Sequence, residues 1–285
     1  MKKIIVPCDF SKPAVNAYRF ALDIAAQSKG VVHLLHIIEL PVLYDSVVMP
    51  ALYMENELYK ELKESADKKF MKLTSKHFNE NVKVIAEVKF GPVHPIITHY
   101  TQEEEADLII MGTQGAEGMK EFLVGSNAEK IVRTSTVPVI VIKDNFKGPV
   151  KNIVFPNLLE TEGQEDLMMK VKALQNFFKA HLHIVWINTP LNFSNDSATH
   201  ARLEAFAKRF MLKNYSVHIY NYSDSEEGIV HFADDIDADI IALGTHGRRG
   251  LAHLFRGSLA ENIVNHSKYL IWTSVLKKDE GIVNK

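Results

Sequence analysis

The sequence predicts an α/β protein made of two tandem doubly wound parallel sheets, each flanked by helices. Two observations predict it. Short apolar runs of strand length alternate with segments whose apolar residues recur at helical spacing, and this order is traversed twice. One glycine pattern also occurs twice. Gly112-Thr113-Gln114-Gly115, nine residues, then Gly125-Ser126 returns as Gly244-Thr245-His246-Gly247, nine residues, then Gly257-Ser258. Every member moves by the same 132 positions (Gly112 to Gly244, Gly125 to Gly257). An ungapped repeat of this kind means two copies of one structural unit.

The elements of the first copy follow in order. Ile4-Ile5-Val6-Pro7 is a buried strand ending at Cys8-Asp9. Ser11 caps the next helix, and Pro13 suits its first turn. Ala14, Ala17, Tyr18, Ala21, Leu22 and Ala25 form the apolar stripe, and Gly30 stops it. Val31 to Ile38 is the second strand. Leu40 to Leu52, with Pro41 and Pro50, reads as irregular. Glu55 to about Asn79 is a charged helix, and Val82 to Val88 the third strand. Gly91-Pro92 turns into a short helix through Ile96, Ile97 and Tyr100. Leu108-Ile109-Ile110-Met111 is a fourth strand that runs straight into the first glycine loop. A helix over Ser126 to Thr134 and a strand over Val137 to Ile142 complete a βαβαβαβαβ series. Such alternation implies a parallel sheet with right-handed crossovers.

Lys143 to Val150, with Gly148-Pro149, reads as the linker between halves, giving domains at 1–143 and 150–277. Ile153-Val154-Phe155, Leu182 to Ile187, Val217 to Asn221, Ile240 to Leu243 and Tyr269 to Val275 are the strands of the second copy. Thr161-Glu162-Gly163-Gln164 resembles a capping box for its first helix. The repeat is locally strongest at Ala106-Asp107-Leu108-Ile109-Ile110 against Ala238-Asp239-Ile240-Ile241-Ala242.

Composition narrows the function. Hydrophobic residues make up 46% and charged residues 24% of 285, which suits a soluble chain long enough for two domains. A formal net charge of −2 supplies no basic field for nucleic acid or anionic membrane. Met1 to Asp9 has no signal-peptide character, and no segment approaches membrane-spanning length. The single cysteine, Cys8, cannot form an internal disulfide and fits a cytoplasmic location.

Ligands of doubly wound sheets sit beyond the carboxyl ends of the strands. Both glycine loops leave the fourth strand at that edge, and Asp9 leaves the first strand there. If strands one and four are neighbours, Asp9 can accept a hydrogen bond from a ribose hydroxyl. Gly112 and Gly115 let backbone approach a phosphate, and Gly125-Ser126 opens a helix whose N–H groups favour an anion. Ser126-Asn127-Ala128-Glu129 and Ser258-Leu259-Ala260-Glu261 also match the capping box, so each serine has a purely structural reading. Walker A and the dinucleotide fingerprint are both absent.

These residues resemble the universal stress protein family. The likeness rests on Val6-Pro7-Cys8-Asp9-Phe10-Ser11, on Leu35-His36-Ile37-Ile38-Glu39, and on Gly-x2-Gly-x9-Gly-Ser after an apolar strand. Gly244-Thr245-His246-Gly247-Arg248-Arg249-Gly250-Leu251 is very close to the family's common form. The resemblance implies strand order 3-2-1-4-5, the adenine nucleotide alpha-hydrolase-like arrangement. It also implies bound ATP, with or without Mg²⁺, pairing through the fifth strands with an optional homodimer, and a role in stress survival. Asp9 would then contact ribose, and backbone near Ile38 the base. Gly112, Gly115, Gly125 and Ser126 would hold ribose and phosphates, as would Gly244, Gly247, Gly257 and Ser258 in the second half.

The halves depart from this pattern differently. Asn157 stands where the first half has Asp9, and Trp186 where it has His36. Arg248, Arg249 and Arg256 make the second loop basic, while Glu117 and Glu121 flank Lys120 in the first. Both crevices are expected to bind, with different affinities.

Other chemistry is thinner. His33 and His36 fall on opposite strand faces. His181 and His183 share a face but lack a third ligand in the sequence nearby, so they read as surface histidines. His246 and His253 lie in the second loop and could meet phosphate. Cys8 reads as a small buried hydrophobe. No catalytic or metal-binding set emerges, which favours a nucleotide-binding signalling module. A slow ATPase or nucleotidyl-transfer enzyme, and an interaction protein with vestigial crevices, are the alternatives.

Overall fold

The apolar run Ile4-Ile5-Val6 is wholly buried in the first strand, β1 (Lys3–Pro7), as a strand flanked on both sides by others requires. The structure, a computed structural model, describes residues 1–39, 50–113, 126–157, 164–245 and 269–275. The chain packs as two compact units, Met1–Gly112 and Thr113–Lys285.

The first unit continues with α1 (Lys12–Ser28), β2 (Val31–Ile38), α2 (Pro50–Lys76), β3 (Lys83–Phe90), α3 (Val93–Glu103) and β4 (Leu108–Gly112). Its strands are all parallel, in the order β3-β2-β1-β4. His36 meets Phe70 of α2, whereas His33 meets Tyr100 of α3. Three residues apart on one strand, they point to opposite faces, so α2 and α3 cover opposite faces of the sheet. α1 joins α2, since the Tyr18 hydroxyl donates to the His77 carbonyl at 3.1 Å.

Sequence signals set the ends of α1. Ser11 Oγ accepts from the Ala14 N–H, and Pro13 lies in the first turn. Gly30, the expected stop, is not the left-handed residue. Lys29 takes that conformation, at φ 52°, and Lys179 repeats it in the second unit at φ 54°, where Ala180 replaces the glycine. Gly30 is small for another reason: a Cβ there would stand 2.8 Å from the Lys2 carbonyl oxygen. Pro50 to Leu52, read as irregular, instead open α2, with proline at a position that needs no donor.

The second unit comprises α4 (Ser126–Thr134), β5 (Val139–Ile142), β6 (Asn152–Pro156), α5 (Glu165–Phe178), β7 (His181–Asn188), α6 (Asp196–Arg209), β8 (Tyr215–Asn221), α7 (Ser225–Asp235), β9 (Ile240–Thr245) and β10 (Leu270–Val275). Its order is β5-β10-β9-β6-β7-β8. Read from β8 to β10, this is 3-2-1-4-5, the doubly wound α/β order. β5 lies antiparallel against β10, Ile140 opposite Trp272, so neither apolar edge faces water.

The Ala-Asp repeat has a structural role. Asp107 Oδ2 accepts from the Lys2 and Lys3 N–H groups at 2.5 and 3.0 Å, and Asp239 Oδ2 from Lys151 and Asn152 at 2.6 and 2.9 Å. Each carboxylate ties the start of the first strand to the start of the fourth. Both therefore sit at the amino edge, away from the glycine loops.

β10 buries polar atoms that find no partner among the described residues, among them Thr273 Oγ1 in a residue 1% exposed. A buried hydroxyl without a hydrogen bond costs about 1–3 kcal/mol. Thr273→Val keeps the shape and removes that cost, so it should stabilise the second unit by about 1 kcal/mol. Urea unfolding followed by tryptophan fluorescence reads it out, because both tryptophans, Trp186 and Trp272, belong to this unit. A lower urea midpoint would show that the hydroxyl is bonded after all.

Candidate functional site

At the carboxyl edge of the first unit, the Cys8 N–H donates to the Leu35 carbonyl at 2.9 Å, extending the pairing of Pro7 with Leu35. Cys8, His36 and Gly112 thus form one row, and Asp9 stands one residue beyond it. Asp9 is exposed, and its Oδ1 accepts from the Ser11 N–H at 2.9 Å, so the carboxylate is held over the head of α1. Burial pushes the Cys8 thiol up to about 11, and the residue is 4% exposed, so it behaves as a hydrophobe.

Phe10 escaped the sequence reading. It adopts φ 66°, uncommon for a bulky residue, and packs on His36 at 4.7 Å and Phe70 at 5.0 Å between ring centroids. The Lys69 ammonium lies 5.3 Å from the Phe10 ring. His36 donates Nδ1–H to the Cys8 carbonyl at 2.7 Å, since a carbonyl can only accept. An aromatic wall therefore stands beside Asp9. At the end of β2, the Ile38 carbonyl accepts from the Gly91 N–H at 3.0 Å, and the Glu39 carboxylate accepts from Val93 N–H at 3.0 Å. The backbone of Ile38 is thus already engaged with the strand–helix turn.

Gly112 has a packing reason to be glycine. A Cβ there would come within 2.5 Å of Ala14 N and 2.6 Å of Pro13 O, the backbone of α1's first turn. At Gly244 the nearest obstacle is the Leu167 side-chain end, with Cδ2 at 2.5 Å. Close approach of backbone occurs at both, but toward a helix of the same unit.

The second unit corrects one sequence alignment. The Asn157 N–H donates to the Val185 carbonyl at 2.9 Å, as Cys8 does to Leu35. Asn157 is therefore the counterpart of Cys8, not of Asp9, and Asp9 aligns with Leu158, outside the described residues. Asn157 follows Pro156 directly, as Cys8 follows Pro7, whereas Asp9 is two residues beyond its proline. Trp186 does correspond to His36. Register places Trp186, Asn157, Gly244 and Ser274 in one row facing α5. Trp186 Nε1, Ser274 Oγ and, at the head of α5, Gln164 Oε1 are buried there without hydrogen-bond partners among the described residues.

Gly115, Gly125, Gly247, Arg248, Gly257 and Ser258 lie outside the described residues, with His246, His253, Arg249 and Arg256. Ser126 opens α4, but its side chain is also outside them. Among the described residues, no group of three His, Cys, Asp or Glu is set to hold a metal ion. No helix among them is long and apolar enough to cross a membrane. A cavity of about 410 Å³ lies where the amino end of β10 meets the carboxyl end of β5, lined by Ile142, Phe146, Lys147 and Tyr269.

His181 and His183, read as surface histidines, belong instead to a half-buried network. The third member is His218 on β8, and His183 Nδ1 lies 3.2 Å from His218 Nε2. Sequence spacing could not supply it, because the strands meet only in the sheet.

Comparison with known proteins follows the fold. A model of the universal stress protein family matches residues 1–143 and 189–270. A universal stress protein of Methanocaldococcus jannaschii is 30% identical over 142 residues, covering 50% of this chain and 82% of that protein. A universal stress protein E homolog of Haemophilus influenzae is 23% identical over 208 residues, 65% of this chain and 67% of its own. Among solved structures, a universal stress protein from Archaeoglobus fulgidus superposes with a TM-score of 0.64 at 20% identity, over 98% of this chain and 97% of that one.

Proposed function

This chain belongs to the universal stress protein family, and on that premise we propose that it binds ATP at the carboxyl edges of its sheets. In this reading it is a cytoplasmic binding and signalling module of the stress response with two family domains, 1–143 and 150–277. The observation that carries the proposal is the placement of Asp9. An exposed carboxylate stands at the end of β1, pinned by the Ser11 N–H, one residue beyond a row that ends in Gly112. A charged acceptor so held suits a ribose hydroxyl.

The remaining roles rest on family resemblance. Gly115, Gly125 and Ser126 would cradle phosphates in the first half, and Gly247, Arg248, Gly257 and Ser258 in the second. In the second half the sequence counterpart of Asp9 is Leu158, which carries no carboxylate. Trp186 and Ser274 stand in the buried row beside that edge, where the first half has His36. The two crevices should therefore differ in affinity, the first relying on ribose contact and the second on its arginines.

Calorimetric titration of ATP with Mg²⁺ tests this in wild type, Asp9→Asn, Gly115→Val and Gly247→Val. Asparagine keeps an acceptor for the Ser11 N–H but loses the charge, so the first site should weaken about tenfold with the fold intact by circular dichroism. Each valine should abolish binding in its own half, because a β-branched side chain blocks backbone approach. Wild type that binds no nucleotide would end the proposal.

A further inference from the structure

Three imidazoles converge on one hydroxyl in the second unit. Ser216 Oγ on β8 lies 2.7 Å from His218 Nε2, 3.0 Å from His181 Nε2 and 3.2 Å from His183 Nδ1. Two of the rings have fixed tautomers. His183 Nε2 faces Asn152 Oδ1 at 3.2 Å, and the Asn152 amide N–H groups are directed at the Ile236 and Asp237 carbonyls, 3.4 Å away. His181 Nδ1 faces Asn214 Oδ1 at 3.0 Å, and Asn214 Nδ2 donates to the Ala180 carbonyl at 3.0 Å. Each asparagine oxygen accepts, so His183 carries its proton on Nε2 and His181 on Nδ1. Both bare nitrogens then point at Ser216.

The remaining hydrogens close the network in one way. Ser216 O–H donates to His181 Nε2. His218 Nε2–H donates to Ser216 Oγ and leans on His183 Nδ1. In this pattern each ring nitrogen that faces the centre has a partner of opposite role, and the total charge is zero. An added proton on His183 Nδ1 would face the His218 N–H across 3.2 Å, donor against donor. A second proton would place like charges at the same spacing.

Among the described residues, no carboxylate acts on His183 or His218 to offset that charge. The titratable groups on the elements packed here are His181 on β7, Tyr215, His218 and Tyr220 on β8, Glu226 and Glu227 in the first turn of α7, His231, Asp234 and Asp235 further along it, and Asp237 and Asp239 beyond it. His183 is influenced by His181 and His218, and His218 by His181. Asp235 accepts from Tyr220, Asp234 from Tyr269, and Asp239 from the backbone of Lys151 and Asn152. His231 stacks on Tyr222, and Asp237 offers its backbone carbonyl to Asn152. What α7 presents to His183 and His218 is the Phe232 ring.

We propose that His181, His183 and His218 form an acid-sensitive latch, holding β8 to β7 while neutral and releasing it as the pH falls. This goes beyond nucleotide binding and does not depend on it. The linkage has a definite sign. Burial first, then the neighbouring His181 and His218, hold His183 down to about 4. Burial lowers His218 as well. An opened edge frees them to the ordinary histidine value near 6.5. The open form therefore binds more protons between those values. The latch is at full strength above about pH 6.5 and weakens as the pH falls toward 4. His183 alone raises the opening constant about tenfold between pH 7.5 and 5.5.

Hydrogen exchange on the full chain, corrected for intrinsic rates, measures this directly. Amides of β7 and β8 should lose about tenfold protection from pH 7.5 to 5.5, while those of β9 and β10 hold theirs. In His183→Gln the tenfold loss should disappear. Wild-type histidine titration by NMR is the second measurement, and it needs no variant: His183 should titrate below pH 5. A His183 midpoint at or above 6.5 overturns the latch, as does a β7–β8 loss no larger than that of β9–β10. Persistence of the loss in a folded His183→Gln overturns it too.

Discussion

Gly112→Ala should destabilise the first unit by about 3 kcal/mol, whereas Gly244→Ala should cost the second about 1 kcal/mol or less. The two glycines are equivalent in the repeat, and sequence alone gives no reason to separate them. Their neighbours do. A methyl group at Gly112 meets Pro13 and Ala14 backbone atoms, which can move only if α1 leaves its cap. A methyl at Gly244 meets Leu167 Cδ2, the end of a side chain that can rotate away. The units are read separately, since tryptophan fluorescence reports the second alone and far-ultraviolet circular dichroism reports both. Equal losses at the two sites would mean that α1 yields as easily as a leucine rotamer. The result also bears on ligand studies, because a Gly112 variant that loses nucleotide would have lost its α1 packing first.

Tyr100→Phe should cost the first unit about 2 kcal/mol. The hydroxyl donates to Glu87 at 2.8 Å, so it accepts from His33 Nδ1–H at 3.0 Å. It thereby ties α3 to both β2 and β3. His33 is 3% exposed and Tyr100 also 3%, so phenylalanine strands a buried N–H rather than returning it to water. Glu87 keeps Lys89 at 3.1 Å and suffers less. Burial holds His33 below its ordinary range, with Glu104 and Glu87 acting against that shift. A depressed histidine adds stability above about pH 6.5 and loses it on acidification, so His33 makes the first unit acid-sensitive too. Chemical denaturation at pH 7.5 is the check, and a loss under about 0.5 kcal/mol would show that water replaces the hydroxyl.

The architecture was largely legible before any coordinates. Strand runs such as Ile4-Ile5-Val6 and Leu108-Ile109-Ile110 are continuous and apolar because both sheet faces are covered, and that pattern survives in one dimension. Ser11 and Pro13 announced the start of α1 for a similarly local reason: a cap acts on groups two or three residues away. The end of α1 was harder, because the left-handed position accepts Lys29 and Lys179 once packing over-determines it.

The sequence by itself placed Asp9 just after the first strand and Gly112 and Gly244 in the fourth strands of the two halves. Chain order fixes those positions, since each follows directly from the strand it ends. Only the tertiary structure decided what stands beside them. Register made Asn157, one residue after Pro156, the counterpart of Cys8, one residue after Pro7, because the same backbone hydrogen bond to the neighbouring strand sets both positions. Folding back of α2 brought Phe70 onto Phe10 and His36. Pairing of β7 with β8 brought His218 to His183 from 35 residues away. Contacts between elements distant in sequence depend on how the sheet is laid out in space, and no periodicity along the chain encodes them.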